Sequence, residues 1–380
     1  MTLLAFRNLF QNKIRMVIST GGVALALLLI LSLDAIFTGV EQRITVYINN
    51  SGADIFVAQS GVRNMHMASS SLPDSVRSKV KAVPGVAEVT PILYVSNYVV
   101  MDDERNPSGS SPSGRNLAYI IGLPETATFG GPWNVSLGRS LPGEGEAIID
   151  RTIAEKAGVR LGDEVVILGE DFEVVGLAEE TSSLVNSIAF ISMDDFAKLR
   201  GNYDAFSFLL VKVKAGESPQ ALVTRIEAQV GDVTAQTTET FADQERKVVK
   251  DMSTDVIAIM NTIGFLIGLA VLALTVYTAT LARRAEYGVL KALGGRNGHL
   301  YRAVLAQALI SVAIGFAVGL AITLLLSAIV TRLGLSMVLQ VSSASLLKVG
   351  GFSLVIAGIS AVLPIRQISG LDPAMVFRGR

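Results

Sequence analysis

Four long apolar segments divide the chain, and a long mixed segment lies between the first two of them. The apolar segments are residues 16–40, 256–281, 304–330 and 349–365. An α-helix needs roughly 20 apolar residues to cross a hydrocarbon core, and the fourth segment is near the lower limit of that length. We therefore expect a membrane protein with four transmembrane helices.

The first apolar segment is expected to remain as an anchor. Residues 16–33 carry no charge. A signal peptide has an apolar core of only about 7–15 residues and a small-residue cleavage site. This run is longer and shows no convincing cleavage site, so it is interpreted as the first span.

Residues 41–250 alternate short strand patterns with short helix patterns, which is typical of a soluble α+β domain. Pro73 to Val83 and Pro219 to Val230 are spaced as helices. Val86 to Val100 is rich in strand-forming residues, with Pro91 as a break or an edge position. Glu164 to Leu168 and Phe172 to Leu177 are predicted to form a hairpin across residues 169–171, and residues 130–145 are predicted to be coil.

Glu239 to Asp255 is polar and contains no glycine or proline, and it runs directly into the second apolar segment. One uninterrupted helix is therefore predicted, with its polar part outside the membrane. We refer to that polar part as the stalk. The fold class is thus four transmembrane α-helices with a large α+β extracytoplasmic domain inserted between helices 1 and 2.

Basic residues set the predicted orientation, because loops on the cytoplasmic side of a membrane are enriched in lysine and arginine. Lys13 and Arg15 precede the first span, and the tail at residues 366–380 ends in Arg378 and Arg380. Both termini are therefore expected in the cytoplasm. Residues 1–15 are read either as an amphipathic helix on the inner membrane surface or as a plain charged flank. Asp372 and Pro373 are expected to begin a short terminal helix.

The connector between the second and third spans, residues 282–302, combines basic charge with a helical apolar stripe. Ala285, Val289 and Leu293 recur every four residues, with Leu290 beside them. Gly294 and Gly295 are expected to end this short helix. The connector is either a surface gripped by a soluble partner or an ordinary basic loop that fixes topology. Its charged residues are Arg283, Arg284, Lys291, Arg296 and Arg302, against Glu286 alone.

Two pairs of glycines occur at a spacing that lets membrane helices approach closely. They are Gly264 with Gly268 in the second span and Gly315 with Gly319 in the third. These four residues are predicted helix-packing positions.

Composition agrees with a membrane protein and offers little catalytic chemistry. Half of the residues are hydrophobic, 17% are charged, and the net charge is −1. Cysteine is absent and only two histidines occur, so neither a disulfide framework nor a multi-histidine metal site is predicted. No P-loop, H-E-x-x-H or G-x-S-x-G pattern is found. We predict no catalytic residue, no metal site, no cofactor and no nucleic-acid partner.

Met65, His66 and Met67 form one local cluster with ligand chemistry. Two thioethers and an imidazole could meet a soft metal or a haem iron. The alternative is a hydrophobic loop near the membrane surface, which is favoured because three consecutive side chains rarely point at one ion.

The run from Arg283 through Glu286, Tyr287, Gly288, Val289, Leu290, Lys291, Ala292 and Leu293 to Gly294 closely resembles the segment before the third span in permeases of the MacB/FtsX/LolC type. The tail residues Pro364, Leu371, Asp372, Pro373, Ala374 and Phe377 resemble the C-terminal signature of that family. Met1 to Arg15 and Val83 to Val86 are similar to further parts of it, and the order of parts matches over essentially the whole chain.

The resemblance implies the permease half of an ABC transporter. Two copies would pair as a homodimer, each docked on a separate cytoplasmic ATPase subunit, in a bacterial inner membrane. ATP-driven movement would pass through the helices and stalks to the outer domain. In that family the ATPase-coupling interface would include Arg283, Arg284, Glu286, Gly288, Lys291, Ala292 and Gly294. The chain differs from MacB in carrying no fused ATPase, and from FtsX in the larger size of its outer domain.

Three functions remain open from the sequence. The first is export or extrusion of a small molecule, peptide or lipid, and a neighbouring gene for a membrane-fusion protein would indicate tripartite export. The second is a regulatory module that activates an extracytoplasmic enzyme or sensor without transport. The third, an integral membrane enzyme, lacks any catalytic constellation. The sequence does not identify the substrate.

Overall fold

The computed structural model describes residues 13–100, 115–181, 187–201, 204–293, 295–332 and 339–370. Residues 1–12, the loop at 102–114, Gly294, and the predicted terminal helix at Asp372 and Pro373 lie outside this part of the chain. Two compact units are present. One comprises Met1–Gly39 with Ser253–Arg380, and the other comprises Val40–Met252. We call them the membrane unit and the outer unit.

The helices of the described chain vary widely in length. They are α1 (Lys13–Arg43), α2 (Val46–Asn50), α3 (Asp74–Ala82), α4 (Arg151–Ala157), α5 (Met193–Arg200), α6 (Pro219–Val230), α7 (Thr238–Ala282), α8 (Arg284–Ala292), α9 (Asn297–Arg332), α10 (Ser343–Ser360) and α11 (Val362–Ser369).

The strands all belong to the outer unit. They are β1 (Ile55–Gln59), β2 (Leu72–Pro73), β3 (Val86–Val100), β4 (Arg115–Leu123), β5 (Val135–Gly138), β6 (Glu146–Asp150), β7 (Glu164–Ile167), β8 (Glu170–Ala178), β9 (Ser187–Ser192), β10 (Ala205–Phe206), β11 (Phe208–Val213) and β12 (Val233–Thr237).

Four helical segments of the described chain are long and apolar enough to cross a membrane. They lie in α1, α7, α9 and the pair α10 with α11, so the chain has four candidate membrane helices and a large domain between the first and second. The stalk and the second span form one helix, α7, as the pattern predicted. The fourth segment is divided, because α10 ends at Ser360 and α11 begins at Val362. Pro364 lacks an amide hydrogen and its ring crowds the carbonyl four residues earlier, at Ser360, which explains the division.

Six strands of the outer unit close into a small barrel. The pairings run β3–β4–β9–β6–β8, and β7 closes the ring by pairing with both β8 and β3. Apolar side chains from these strands, among them Ile120, Ile149 and Val165, share one buried cluster. This closure explains how a domain without disulfides holds a core of short strands.

A second layer continues from the same long strand. The first half of β3 pairs with β11, which leads to β1 and β12, and one face of these strands packs against α3 and α6. Pro91 does not interrupt β3. It lies among residues 86–92, which pair with β11, whereas pairing with β4 begins at Leu93. The missing amide of Pro91 therefore falls where the strand has a single neighbour.

Two local predictions for the outer unit need correction, and one strand was missed. Residues 130–145 are not all coil, because β5 pairs with β8. The strand β12 was not predicted. The hairpin turns at Leu168 and Gly169, not across residues 169–171, and both residues have positive φ angles of 56° and 93°. A two-residue turn with positive φ angles matches the right-handed twist of the two strands. This favourable geometry compensates for the cost of placing leucine, a residue with a Cβ atom, at a positive φ angle.

Candidate functional site: the connector helix and the outer-unit cavity

The predicted connector helix is present as α8, and its two sides differ in exposure. Tyr287 and Gly288 are buried, and Tyr287 shares the core cluster of the membrane unit with Leu300 and Ile368. Burial raises the pKa of the Tyr287 phenol; nearby Arg283 lowers it and Glu286 raises it. The tyrosine therefore anchors α8 as a neutral apolar ring.

The apolar stripe lies on the opposite, exposed side. Val289, Leu290 and Leu293 are all exposed, and Leu293 is 81% exposed. Ala285 and Ala292 are exposed beside them. A short helix in a soluble protein normally buries such a stripe. We call these five residues the α8 apolar face.

Lys291 attaches α8 to the end of the fourth membrane segment. Its Nζ donates to the carbonyl oxygens of Ile368 at 2.9 Å and Ser369 at 3.0 Å. Both acceptors lie at the C-terminus of α11, where carbonyl groups lack helical partners and a positive charge is favourable. Lys291 therefore positions α8 within this chain.

The remaining coupling residues divide between the two sides. Arg283 precedes α8 and its Nη1 lies 3.8 Å from Oε2 of Glu286, with the arginine largely covered and the carboxylate exposed. Arg284, Glu286 and Ala292 are exposed, whereas Gly288 is buried. The helix ends at Ala292, and the Gly295 amide donates to the Leu290 carbonyl at 2.9 Å. Gly294 lies outside the described residues.

The four predicted packing glycines all lie against α1. A methyl group on Gly264 would lie 2.7 Å from Cγ1 of Ile30, and one on Gly315 would lie 2.8 Å from Cγ1 of Val23. On Gly268 it would lie 3.3 Å from Cβ of Ala26, and on Gly319 3.1 Å from the Ala24 carbonyl oxygen. Gly22 of α1 is similarly close to Val271 of α7.

The Met65–His66–Met67 cluster does not converge on one point. Met65 is 3% exposed and Met67 is 62% exposed. The imidazole Nδ1 of His66 lies 2.5 Å from Oε1 of Glu245, on α7. Among the described residues no group of three or more histidine, aspartate or glutamate side chains is placed to hold a metal ion. The geometry thus assigns His66 to a hydrogen bond with a buried carboxylate.

Nothing in the sequence around Glu245 indicates that its side chain is a buried hydrogen-bond acceptor. It lies in the charged stalk, yet its side chain is 0% exposed. Its Oε2 also accepts from the Met65 amide at 2.6 Å. A single glutamate in a charged run is ordinarily solvated, so only the tertiary structure distinguishes it.

Comparison with known proteins decides the family. Residues 16–229 match the model of the MacB-like periplasmic core domain, and residues 258–373 match that of the FtsX-like permease C-terminal domain. The chain is an ABC transporter permease of the MacB/FtsX type. The resemblance found at the connector and the tail is thereby confirmed.

Relatives of the permease match it over nearly its full length. An uncharacterized ABC transporter permease of Methanocaldococcus jannaschii is 23% identical, over 99% of this chain and 96% of that one. One of Mycobacterium bovis is 21% identical, over 99% of each chain. These names describe ABC transporter permeases and state no substrate.

Two solved structures are similar to about half of the permease. The periplasmic region of MacB from Actinobacillus actinomycetemcomitans is 15% identical, with a TM-score of 0.38, over 51% of this chain and 92% of that one. The extracellular domain of the transporter YknZ from Gram-positive bacteria is 16% identical, with a TM-score of 0.35, over 48% and 98%.

Proposed function

We propose that this permease relays ATP-driven movement from a separate cytoplasmic ATPase to its outer unit, and that the movement exports or extrudes a substrate. The observation that carries the proposal is the α8 apolar face. It is exposed in the chain alone, and the helix that bears it is fixed from behind by Tyr287 and Lys291.

An exposed cluster of large apolar side chains rimmed by charge is typical of a protein interaction site. Leu293 and Val289 supply the apolar contact, while Arg284 and Arg296 lie exposed beside it. Arginines at the rim speed association with an acidic partner and fix its orientation. On this proposal Gly288 and Lys291 act behind the interface, since they hold α8 against the permease itself.

A single helix, α7, leads from the outer unit to the connector that contains α8. The helix α7 runs without a break from Thr238 to Ala282, and α8 begins two residues later at Arg284. A continuous α-helix transmits axial displacement because all of its backbone hydrogen bonds lie along the same axis. We propose that α7 is the element through which force passes.

The same proposal includes an arrangement in the cell. Two copies of the permease form a homodimer in a bacterial inner membrane, with both termini and α8 in the cytoplasm. Each copy docks one ATPase subunit, which hydrolyses the ATP. Family membership supports the ATPase partner, and a membrane-fusion protein is a further candidate partner of the outer unit.

The α8 apolar face can be tested by replacing Leu293 with aspartate in the tagged, full-length permease expressed with its ATPase. We expect the ATPase recovered with the permease to fall at least about tenfold, because the change buries an unpaired charge in the interface. The matched control is Leu137→Asp, at a leucine that is also exposed but lies on β5 of the outer unit. Equal ATPase recovery with both variants would contradict the proposed docking surface.

A further inference from the structure

The outer unit contains a cavity of about 420 Å³, and no residue of α8 lines it. It lies between the segment Met65–Ser70, the strand β3 and the helix α5. Its volume is within the range of roughly 300–1,000 Å³ found for small-molecule sites. The described residues that line it all belong to the outer unit.

The wall of this cavity is built by hydrogen bonds to a buried carboxylate. Residues 60–71 form an irregular segment, yet Glu245 binds it twice, through the Met65 amide at 2.6 Å and the His66 imidazole at 2.5 Å. The His66 ring also packs on Tyr119, with 4.4 Å between ring centroids. The segment is therefore fixed in place, and a preformed cavity binds a ligand without the cost of ordering a loop.

Tyr94, on β3, is a further residue of the cavity wall. Tyr94 lines the cavity, and its phenolic oxygen is buried without a hydrogen-bond partner among the described residues. Burial raises the pKa of this phenol, and Tyr119 and Glu245 raise it further. The ring of Tyr94 therefore forms part of the cavity wall, while its hydroxyl oxygen lies beneath the cavity surface.

The chemistry of the lining selects a class of ligand. Thioether and phenyl groups, including those of Met65, Phe196 and Phe208, supply an adaptable apolar surface. Arg200 is the cationic group of the lining, and no carboxylate of a described residue lines the cavity. Glu245 is not among the lining residues, and its two oxygens accept hydrogen bonds from Met65 and His66.

We propose that this cavity binds an amphipathic small-molecule carboxylate, with its apolar chain among the methionine and phenylalanine side chains and its head group at Arg200. Arginine binds carboxylates through paired, charge-assisted hydrogen bonds. The proposal does not depend on ATPase docking, since the cavity lies wholly within the outer unit.

The test uses the full-length permease in nanodiscs, without nucleotide or ATPase, and a photoreactive decanoic acid that carries a terminal diazirine. Adducts are mapped by mass spectrometry of peptides. We expect saturable labelling of peptides covering residues 65–70 and 196–200. Excess decanoate should compete, whereas decyltrimethylammonium, with the same chain length and the opposite charge, should not.

Three variants distinguish binding in the cavity from nonspecific labelling. Ser96→Trp places a large ring at an exposed lining residue and should abolish labelling at these peptides. Arg200→Gln removes the cation, and the half-saturating concentration should rise about tenfold, the usual effect of losing one charge-assisted hydrogen bond. Lys198→Gln removes a cation from the same helix outside the lining and should leave the half-saturating concentration unchanged.

Each other outcome overturns the proposal. Labelling spread over the membrane helices and unchanged by Ser96→Trp would show partition into lipid only. Equal competition by the cationic amphiphile, or equal effects of Arg200→Gln and Lys198→Gln, would show that no anion site exists. Ser96 and Arg200 are both exposed, and the thermal unfolding midpoint of each variant, followed by circular dichroism, checks that a change in labelling is not a loss of folding.

Discussion

Glu245 shows how strongly one buried carboxylate organises its surroundings. It is fully buried, and it binds the Met65 amide and the His66 imidazole. Neighbouring Asp243 on the same helix is exposed and pairs with Arg246, within one turn. Two acids two positions apart in the sequence thus have opposite environments.

Replacing Glu245 with alanine should destabilise the outer unit by about 2 kcal/mol or more, because two buried donors, the Met65 amide and the His66 imidazole, lose the acceptor that they share. Urea unfolding of the full-length permease measures this through Trp133, the single tryptophan, which packs against a core cluster of the outer unit. Asp243→Ala is the control and should cost less than about 1 kcal/mol, as exposed ion pairs do. Similar losses for both variants would contradict the role given to Glu245.

Lys291 is the second residue with a testable local role. Its Nζ holds two carbonyl oxygens at the end of α11. Lys291→Met should lower the free energy of local opening of α8 by about 1 kcal/mol or more, since hydrogen bonds to charged groups are lost. Hydrogen exchange of the amides in residues 284–293 measures this. Exposed Arg284→Met should leave exchange unchanged, and the same acceleration in both variants would argue against the lysine contact.

At the scale of elements, the neighbouring helices place small residues against α1. Gly264 and Gly268 of α7 and Gly315 and Gly319 of α9 all lie against it. In lipid, helix association depends on close packing and not on the hydrophobic effect, so small residues at such contacts matter more than apolar character.

Gly315→Leu should therefore destabilise the membrane unit by about 1–3 kcal/mol, because the new side chain overlaps Val23. The midpoint of thermal unfolding in detergent, followed by size-exclusion chromatography, should fall by several degrees. Gly358→Leu is the matched control, since nothing lies within 4 Å of a methyl group on that glycine. Should the control lose as much stability as Gly315→Leu, close approach of the helices would not be the reason.

The elements that the sequence predicted well are those with local signals. The helix Pro219–Val230 and the continuous α7 follow from periodicity and from the absence of breakers. The missed features depend on distant partners. The strand β12 is defined by pairing with β1, about 180 residues earlier, and closure of the barrel depends on β7 meeting β3. No short sequence pattern predicts these long-range strand pairings.

The candidate site divides in the same way. The pattern identified the apolar stripe of α8, and the charge of Lys291 was visible. That the stripe faces outward and the lysine inward follows only from the packing of Tyr287 and the position of Ile368. The buried contact between His66 and Glu245 spans 179 positions and was likewise invisible.

At the scale of the whole molecule, the proposed orientation can be tested because the chain has no cysteine. Glu125 is exposed in the outer unit, and Gly298 is exposed at the start of α9. In intact spheroplasts a membrane-impermeant maleimide should label Glu125→Cys, whereas Gly298→Cys should react only after permeabilisation. The reverse pattern would place the outer unit in the cytoplasm and would refute the proposed direction of force.

The side chain of Glu245 links the orientation of α7 about its axis to the Met65–His66 segment. Successive residues of an α-helix are about 100° apart around its axis. If α7 turned by that angle, both oxygens of this carboxylate would leave the Met65–His66 segment together, because one side chain supplies both bonds. Rotation of α7 about its own axis would therefore free a segment that lines the outer-unit cavity.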